Sequence, residues 1–329
     1  MAVHPLSILP SMEADLARTE SELLHVVAAD GDFLTEVASH LIKAGGKRVR
    51  PGFAMASAAV LDSSEAAASI NVIRGGCAVE LVHIGSLYHD DVMDDATTRR
   101  SVISVNARWG NQRAILAGDY LLGRASELAA GLGTEVAGLL ATTITQLCDG
   151  QIQELQSQFD PDRSVDAYER SILGKTASLL GTACRIGALV NDLPRPVVES
   201  LTEFGLAYGM AFQIVDDILD LIATDEQAGK PTGNDLLEGI YTLPVIHALS
   251  DPDVGDELRS LLTPEITDIQ RDRSQALVRQ TTGVQVALDV AQNFANKAAI
   301  TLTDLPDSPG AKALRAASDD LIARAHAPL

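Results

Sequence analysis

Apolar residues recur at helical spacing over residues 11–29 and again over 33–44, where the second run stops at Gly45-Gly46. Lys47-Arg48-Val49-Arg50-Pro51 follows, with Pro51 suited to the first turn of a new helix. A long helical pattern then occupies 64–94, interrupted only by Gly75-Gly76 and Gly85. Further patterns predict helices over 106–130, 133–157 and 164–190, closed by Pro194-Arg195-Pro196. Over 197–222 the apolar set Val197, Leu201, Phe204, Tyr208, Ala211, Val215, Ile218 and Leu219 follows a 3.6 period. A glycine and proline loop at 229–235 precedes helical character over 236–249, and Pro264, Gly283, Pro306 and Pro309 divide the remainder into shorter helices. No sustained alternation of β-branched residues, no tandem period and no long linker interrupts this series. The pattern predicts an all-α protein, residues 1–329 forming a single helical domain.

Composition supports a sizeable core: the chain has 329 residues, of which 46% are hydrophobic. A formal net charge of −20 excludes an electrostatic nucleic-acid surface, which needs a basic face, but leaves room for a small anion held by a local basic cluster or a metal. Cys77, Cys148 and Cys184 are scattered without CxxC spacing, which fits reduced thiols and a cytoplasmic compartment. No basic segment leads into an apolar core at the N-terminus and no apolar run reaches about 18 residues, so neither export nor a membrane span is expected. Peripheral membrane contact stays open.

Two stretches break the helical logic. Asp90, Asp91, Asp94 and Asp95 crowd the C-terminal end of the 64–94 pattern, where the helix dipole disfavours negative charge. Asp90 and Asp94 share a face at i, i+4, a like-charge spacing that costs about 0.2–0.5 kcal/mol. Asp216-Asp217-Ile218-Leu219-Asp220 repeats the arrangement in another apolar helix. A hard cation such as magnesium resolves both, because it takes one or two carboxylates from protein and completes its shell with water and substrate phosphate. Asp90, Asp94 and Asp216 are the candidate ligands. An EF-hand over 90–101 is excluded by the absence of glycine at its sixth position, which is Asp95. Lys47, Arg50, Arg99, Arg100, Lys175 and Lys230 are candidate phosphate contacts, each a solvated surface residue as readily when taken alone. His83 lies two turns before Asp90 on nearly the same face, and Gln213 one turn before Asp216, where a packed or core hydrogen-bonded role competes with a ligand role.

In order, Gly45-Gly46-Lys47-Arg48-Val49-Arg50-Pro51, His83-x-x-Ser86-Leu87, Asp90-Asp91-x-x-Asp94 with Arg99-Arg100, Gly118-Asp119-Tyr120, Gly174-Lys175-Thr176, Phe212-Gln213-x-x-Asp216-Asp217-x-x-Asp220 and Gly229-Lys230-Pro231-x-Gly233-x-Asp235-Leu236 resemble the trans-isoprenyl diphosphate synthases. The motifs span about 45–244, and the C-terminal remainder adds none. The resemblance implies the class I terpenoid synthase fold, a helical bundle around a central active-site cavity, usually a homodimer. It implies that Asp90, Asp94 and Asp216 hold about three magnesium ions on an allylic diphosphate, supported by Asp91, Asp217 and Asp220. Arg99, Lys175 and Lys230 would contact the same diphosphate; Lys47, Arg50, His83 and Arg100 would hold isopentenyl diphosphate; Thr176 and Gln213 would line the reacting allyl group. The implied reaction is ionisation of the allylic diphosphate, attack by the isopentenyl double bond and loss of a proton. One departure is Ile240, where many relatives carry a phosphate-binding lysine.

Residues four, five and eight before Asp90 share its face; they are Ser86, Gly85 and Val82. Short-chain relatives have a bulky aromatic floor at the first two of these positions. Small residues there predict a long all-trans chain, such as a quinone side-chain precursor, with a farnesyl or geranylgeranyl product as the alternative. The competing explanation is that the small residues admit a neighbouring helix. A class I terpene cyclase is disfavoured by Lys47, Arg50 and His83, and a non-catalytic length-setting subunit by the intact acidic motifs.

Overall fold

The computed structural model describes residues 4–64, 66–223 and 232–326, and these are overwhelmingly helical. They group into two compact units, each assembled from separated stretches of chain.

The first unit comprises Met1–Ile144, Leu179–Gly205 and Leu302–Ala316. Its helices begin with α1 (Met12–Val26), α2 (Asp32–Lys43), α3 (Val49–Ala58) and α4 (Ile70–Met93). Helix α4 is apolar around nearly its whole circumference, and such a helix is stable only when surrounded. Ile73, Cys77, Ala78, Val79, Leu81, Val82, Ile84 and Tyr88 are all fully buried. It starts at Ser69, whose hydroxyl accepts from Val72 N at 3.3 Å, and packs against α1, α3 and α6 (Asn111–Leu132).

Between α4 and α6 lie a two-residue antiparallel pair, β1 (Thr98–Arg99) with β2 (Val102–Ile103), and the short helix α5 (Val105–Trp109). The sequence pattern did not anticipate the pair, because two residues carry no period. The predicted 106–130 helix is split at Gly110, whose φ of 89° ends α5 and begins α6.

The second unit comprises Thr145–Ser178, Leu206–Thr301 and Ala317–Leu329. The predicted 164–190 helix is three pieces: α8 (Val165–Ile172), a π turn at Leu173–Ala177, and α9 (Ser178–Val190). The predicted 236–249 helix is two, α11 (Asn234–Leu237) and α12 (Leu243–Ala248), separated by a turn in which Gly239 has φ 71°. Then come α13 (Gly255–Leu261), α14 (Asp268–Gln280), α15 (Gly283–Thr301) and α16 (Pro309–His326). Helices α7 (Thr134–Gln156), α9, α10 (Arg195–Ile222) and α16 contribute residues to both units.

The C-terminal remainder, which carries no motif, has a structural task. Arg279 of α14 donates twice to Leu221 O, at 3.2 and 2.7 Å, and Gln275 Nε2 donates to Asp220 O at 3.3 Å. These contacts satisfy carbonyls at the end of α10 and put positive charge where its dipole is negative.

Candidate active site

In the first unit the residues Gly45 to Arg50 enter α3 through a left-handed Arg48, φ 47°. Gly46 sits flush against two guanidinium groups: a Cβ there would lie 3.1 Å from both Arg100 and Arg48 side-chain atoms. Arg48 is 3% exposed and is consumed by Glu20, Glu80 and Ile42 O. It is a structural ion, which no spacing or composition signal separates from Lys47 and Arg50. Glu80, 2% exposed, is the counter-charge the motifs did not include; Arg48 donates to it at 3.0 Å and Arg100 stands 3.8 Å away.

Arg100 donates to Leu41 O and Gly45 O at 3.1 and 2.6 Å, which pins the β1–β2 turn to the end of α2. Burial lowers the pKa values of Arg50 and Arg100, Glu80 opposes the shift and neighbouring arginines add to it. Arg50 Nε is buried and has no hydrogen-bond partner among the described residues. An unspent buried cationic donor calls for an anion. His83 belongs to the same cluster: burial, then Arg50, Arg100, Arg48 and Arg99, hold its pKa well below the usual imidazole value. Lys47 is exposed.

The first acidic run ends α4, with Asp94 as its C-cap and Asp95 in left-handed backbone at φ 48°. Asp90 is half-buried and Asp94 exposed. Asp91 differs: its side chain is fully buried, Oδ1 accepts Arg99 Nε at 2.7 Å, and Oδ2 has no partner among the described residues. Burial raises its pKa and Arg99 opposes that. Arg99 thereby joins the acidic run to the arginine cluster within one unit. Gly85 is buried, and a Cβ on it would meet Gly118 O at 3.2 Å and Leu122 at 3.4 Å on α6. Its small size therefore has a packing reason of its own. Val82 is fully buried, whereas Ser86 is half-buried and donates to His83 O at 2.9 Å. His89 Nε2 meets Ile115 O at 3.2 Å.

In the second unit Lys175 and Thr176 ride on the π turn, a local insertion common at functional sites. Close backbone approach fixes that turn: a Cβ on Gly174 would lie 2.6 Å from Gln146 O, and Gly150 opposes it. Lys175 Nζ pairs with Glu154 Oε1 at 2.5 Å, a partner the motifs left out. Thr176 Oγ1 donates to Gln213 Oε1 at 2.7 Å, Gln213 Nε2 to Asp217 Oδ1 at 2.8 Å, and Tyr168 OH to Asp217 Oδ2 at 2.6 Å. Asp217 is 5% exposed while its neighbour Asp216 is exposed, so the two adjacent carboxylates have different environments. Burial pushes the Asp217 pKa up to about 7 against the Tyr168 and Gln213 hydrogen bonds, and Asp216 adds to the rise.

Asp220 O accepts Gly233 N at 2.8 Å and its Oδ2 accepts Asp235 N at 3.3 Å. Burial and the Asp217 and Asp220 charges hold Asp235 well above the usual carboxylate range. Ile240 N bonds back to Asp235 O at 2.7 Å. Lys230 lies outside the described residues.

Among the described residues no three acidic, histidine or cysteine side chains converge as a metal cluster. The donor set still fits a hard divalent ion: Asp90 with Asp94, and Asp216 with Asp220, offer oxygen ligands only, and magnesium takes one or two carboxylates when substrate phosphate supplies the rest. The two buried aspartates are less suited to direct ligation. Asp91 is spoken for by Arg99, and Asp217 by Tyr168 and Gln213.

The polyprenyl synthetase family model matches residues 32–280. The nonaprenyl diphosphate synthase of Mycobacterium tuberculosis is 39% identical over 317 residues, covering 95% of this chain and 93% of that protein. The heptaprenyl diphosphate synthase component 2 of Geobacillus stearothermophilus is 39% identical over 294 residues, covering 89% and 90%. The crystal structure of a geranylgeranyl pyrophosphate synthase from Corynebacterium glutamicum, complexed with calcium and isoprenyl diphosphate, is 38% identical with a TM-score of 0.83, covering 95% of this chain and 96% of that one. The chain belongs to the trans-isoprenyl diphosphate synthase family and is a prenyltransferase with that family's all-α fold. None of its helices, among the described residues, is long and apolar enough to cross a membrane.

Proposed function

We propose that the chain is a magnesium-dependent, all-trans polyprenyl diphosphate synthase that condenses isopentenyl diphosphate head-to-tail onto an allylic diphosphate, giving a product of roughly six or more isoprene units. The observation that carries this reading is the joining of cationic cluster and acidic run in one unit, through the 2.7 Å Arg99–Asp91 contact, beside a buried Arg50 donor with no described partner. Long product is supported by the nonaprenyl and heptaprenyl names of the relatives; the geranylgeranyl name of the Corynebacterium protein supports a shorter product as the second reading.

Lys47, Arg50 and Arg100 hold the isopentenyl diphosphate, and neutral His83 adds a hydrogen bond without a further charge. Arg99, Lys175 and Lys230 take the allylic diphosphate. Asp90, Asp94 and Asp216 are the magnesium ligands, with Asp220 beside them, while Asp91 and Asp217 orient neighbouring side chains. Bound magnesium supplies charge neutralisation on the departing diphosphate. The allylic C–O bond breaks, the isopentenyl double bond supplies the electron pair of the new C–C bond, and the proton lost goes to the diphosphate. Preorganised cations lower this barrier because they need no reorientation as the charge develops. Thr176 and Gln213 line the allylic carbon. Ile115 and Leu116, 43% and 66% exposed on α6, support a homodimer. The site lies in the cytoplasm, with peripheral membrane contact for release of an apolar product.

The test is incubation of the purified chain with isopentenyl diphosphate, magnesium and each allylic primer, followed by chromatography of the dephosphorylated products. A ladder ending at roughly six or more units is expected, with Asp90→Ala inactive and helical content unchanged. Turnover that survives removal of divalent ions, or that survives Asp90→Ala with normal metal dependence, overturns the reading.

A further inference from the structure

Tyr168 belongs to no sequence motif, yet its hydroxyl is one hydrogen bond from the second acidic run. It is 1% exposed, so water offers no substitute partner, and it donates to Asp217 Oδ2 at 2.6 Å. Arg163 lies 5.5 Å over its ring and Ser171 Oγ donates to its carbonyl at 2.9 Å, so ring and backbone are both held. Asp217 Oδ1 accepts Gln213 Nε2 at 2.8 Å, and Thr176 Oγ1 reaches Gln213 Oε1 at 2.7 Å.

These bonds have a direction. Asp217 accepts on both oxygens, from Tyr168 OH and from Gln213 Nε2, so Gln213 turns its NH2 toward Asp217 and its carbonyl toward Thr176. That carbonyl takes the Thr176 proton, and the threonine oxygen then presents only lone pairs to whatever lies before it. Tyr168 closes the far end of the chain by occupying the carboxylate oxygen that Gln213 does not use. Without it that oxygen is buried and unpaired, a costly state that turning the carboxylate relieves at the expense of the Gln213 bond.

We propose that Tyr168 is a positioning residue that fixes the hydroxyl orientation of Thr176 through Asp217 and Gln213. The proposal rests on the synthase reading above, in which Thr176 faces the allylic carbon, and it extends the site by one residue. A polar chain of this kind acts as a unit, so its members are non-additive.

The test compares wild type, Tyr168→Phe, Thr176→Val and the double variant as full-length chains with magnesium, isopentenyl diphosphate and an allylic primer. Tyr168→Phe is expected to lower kcat about tenfold, a 1.4 kcal/mol effect, with KM for isopentenyl diphosphate unchanged. The double variant is expected to be no slower than Thr176→Val alone. Wild-type kcat in Tyr168→Phe, or losses that multiply in the double variant, overturns the proposal. A uniform loss of folded protein would also lower apparent kcat at constant KM, but that loss would multiply in the double variant, so the non-additivity separates it from a positioning role; if Tyr168→Phe does not fold, Tyr168→Met enters the same cycle. A wild-type chain that extends no primer sinks the synthase reading itself, whereas an active wild type with an unaffected Tyr168→Phe sinks only the role of Tyr168.

Discussion

At the scale of single residues, the first unit keeps a histidine uncharged by taking it out of water and then by setting arginines around it. Protonated His83 would lose its hydration and face Arg50 and Arg100, so its folded pKa lies well below 6.5. The unfolded chain therefore binds more protons than the folded one between that depressed value and about 6.5, and stability rises with pH across this window. Read downward, the contribution is fully present above about 6.5 and is lost on acidification toward the folded pKa. His83→Gln keeps a hydrogen-bonding side chain and removes the titration. Thermal unfolding between pH 7 and pH 5 should show the wild type losing more stability than His83→Gln, and parallel curves would count against a neutral buried imidazole. The same residue-level economy appears at Lys175, which is already paired with Glu154, so a diphosphate held there as proposed would have to compete with that carboxylate.

At the scale of elements, α4 was legible because its apolar pattern is long, and the acidic end stood out because four carboxylates contradict both that pattern and the helix dipole. The π turn was not legible: Gly174-Lys175-Thr176 reads as helix in either register, and only the contact of Gly174 with Gln146 and Gly150 on α7 shows why an extra residue is accommodated. Glu154, Glu80 and Tyr168 were missed for a related reason. Each pairs across a sequence separation that periodicity does not see, 21 residues for Lys175–Glu154 and 49 for Tyr168–Asp217. The helix face also divides the product-length residues more sharply than spacing does. Gly85 faces α6, so Gly85→Phe should destabilise the protein by about 1–3 kcal/mol through overpacking. Ser86 is half-buried and, among the described residues, makes only a local side-chain bond to His83 O, so Ser86→Phe should retain near-wild-type stability and shorten the product. Urea unfolding and product sizing on both variants check this, and an unchanged product profile in Ser86→Phe would remove the wall from this position.

At the scale of the whole molecule, the two compact units are not two halves of the sequence. The chain alternates between them at Ile144, Ser178, Gly205, Thr301 and Ala316, and four helices hold residues of both. Helix formation is cooperative along a segment, because each added residue fixes few dihedrals per hydrogen bond once a nucleus exists. Unfolding either unit therefore cuts α7, α9, α10 and α16 short. One cooperative unfolding transition is therefore the expected outcome, in line with the single domain expected from the absence of a long linker. Scanning calorimetry of the substrate-free protein should give one endotherm, with calorimetric and van't Hoff enthalpies that agree. Two resolved endotherms, or a calorimetric enthalpy well above the van't Hoff value, would mean that the units melt independently. In that event α7 and α10 would have to break near Ile144 and Gly205, and hydrogen exchange would show protection lost first at those positions.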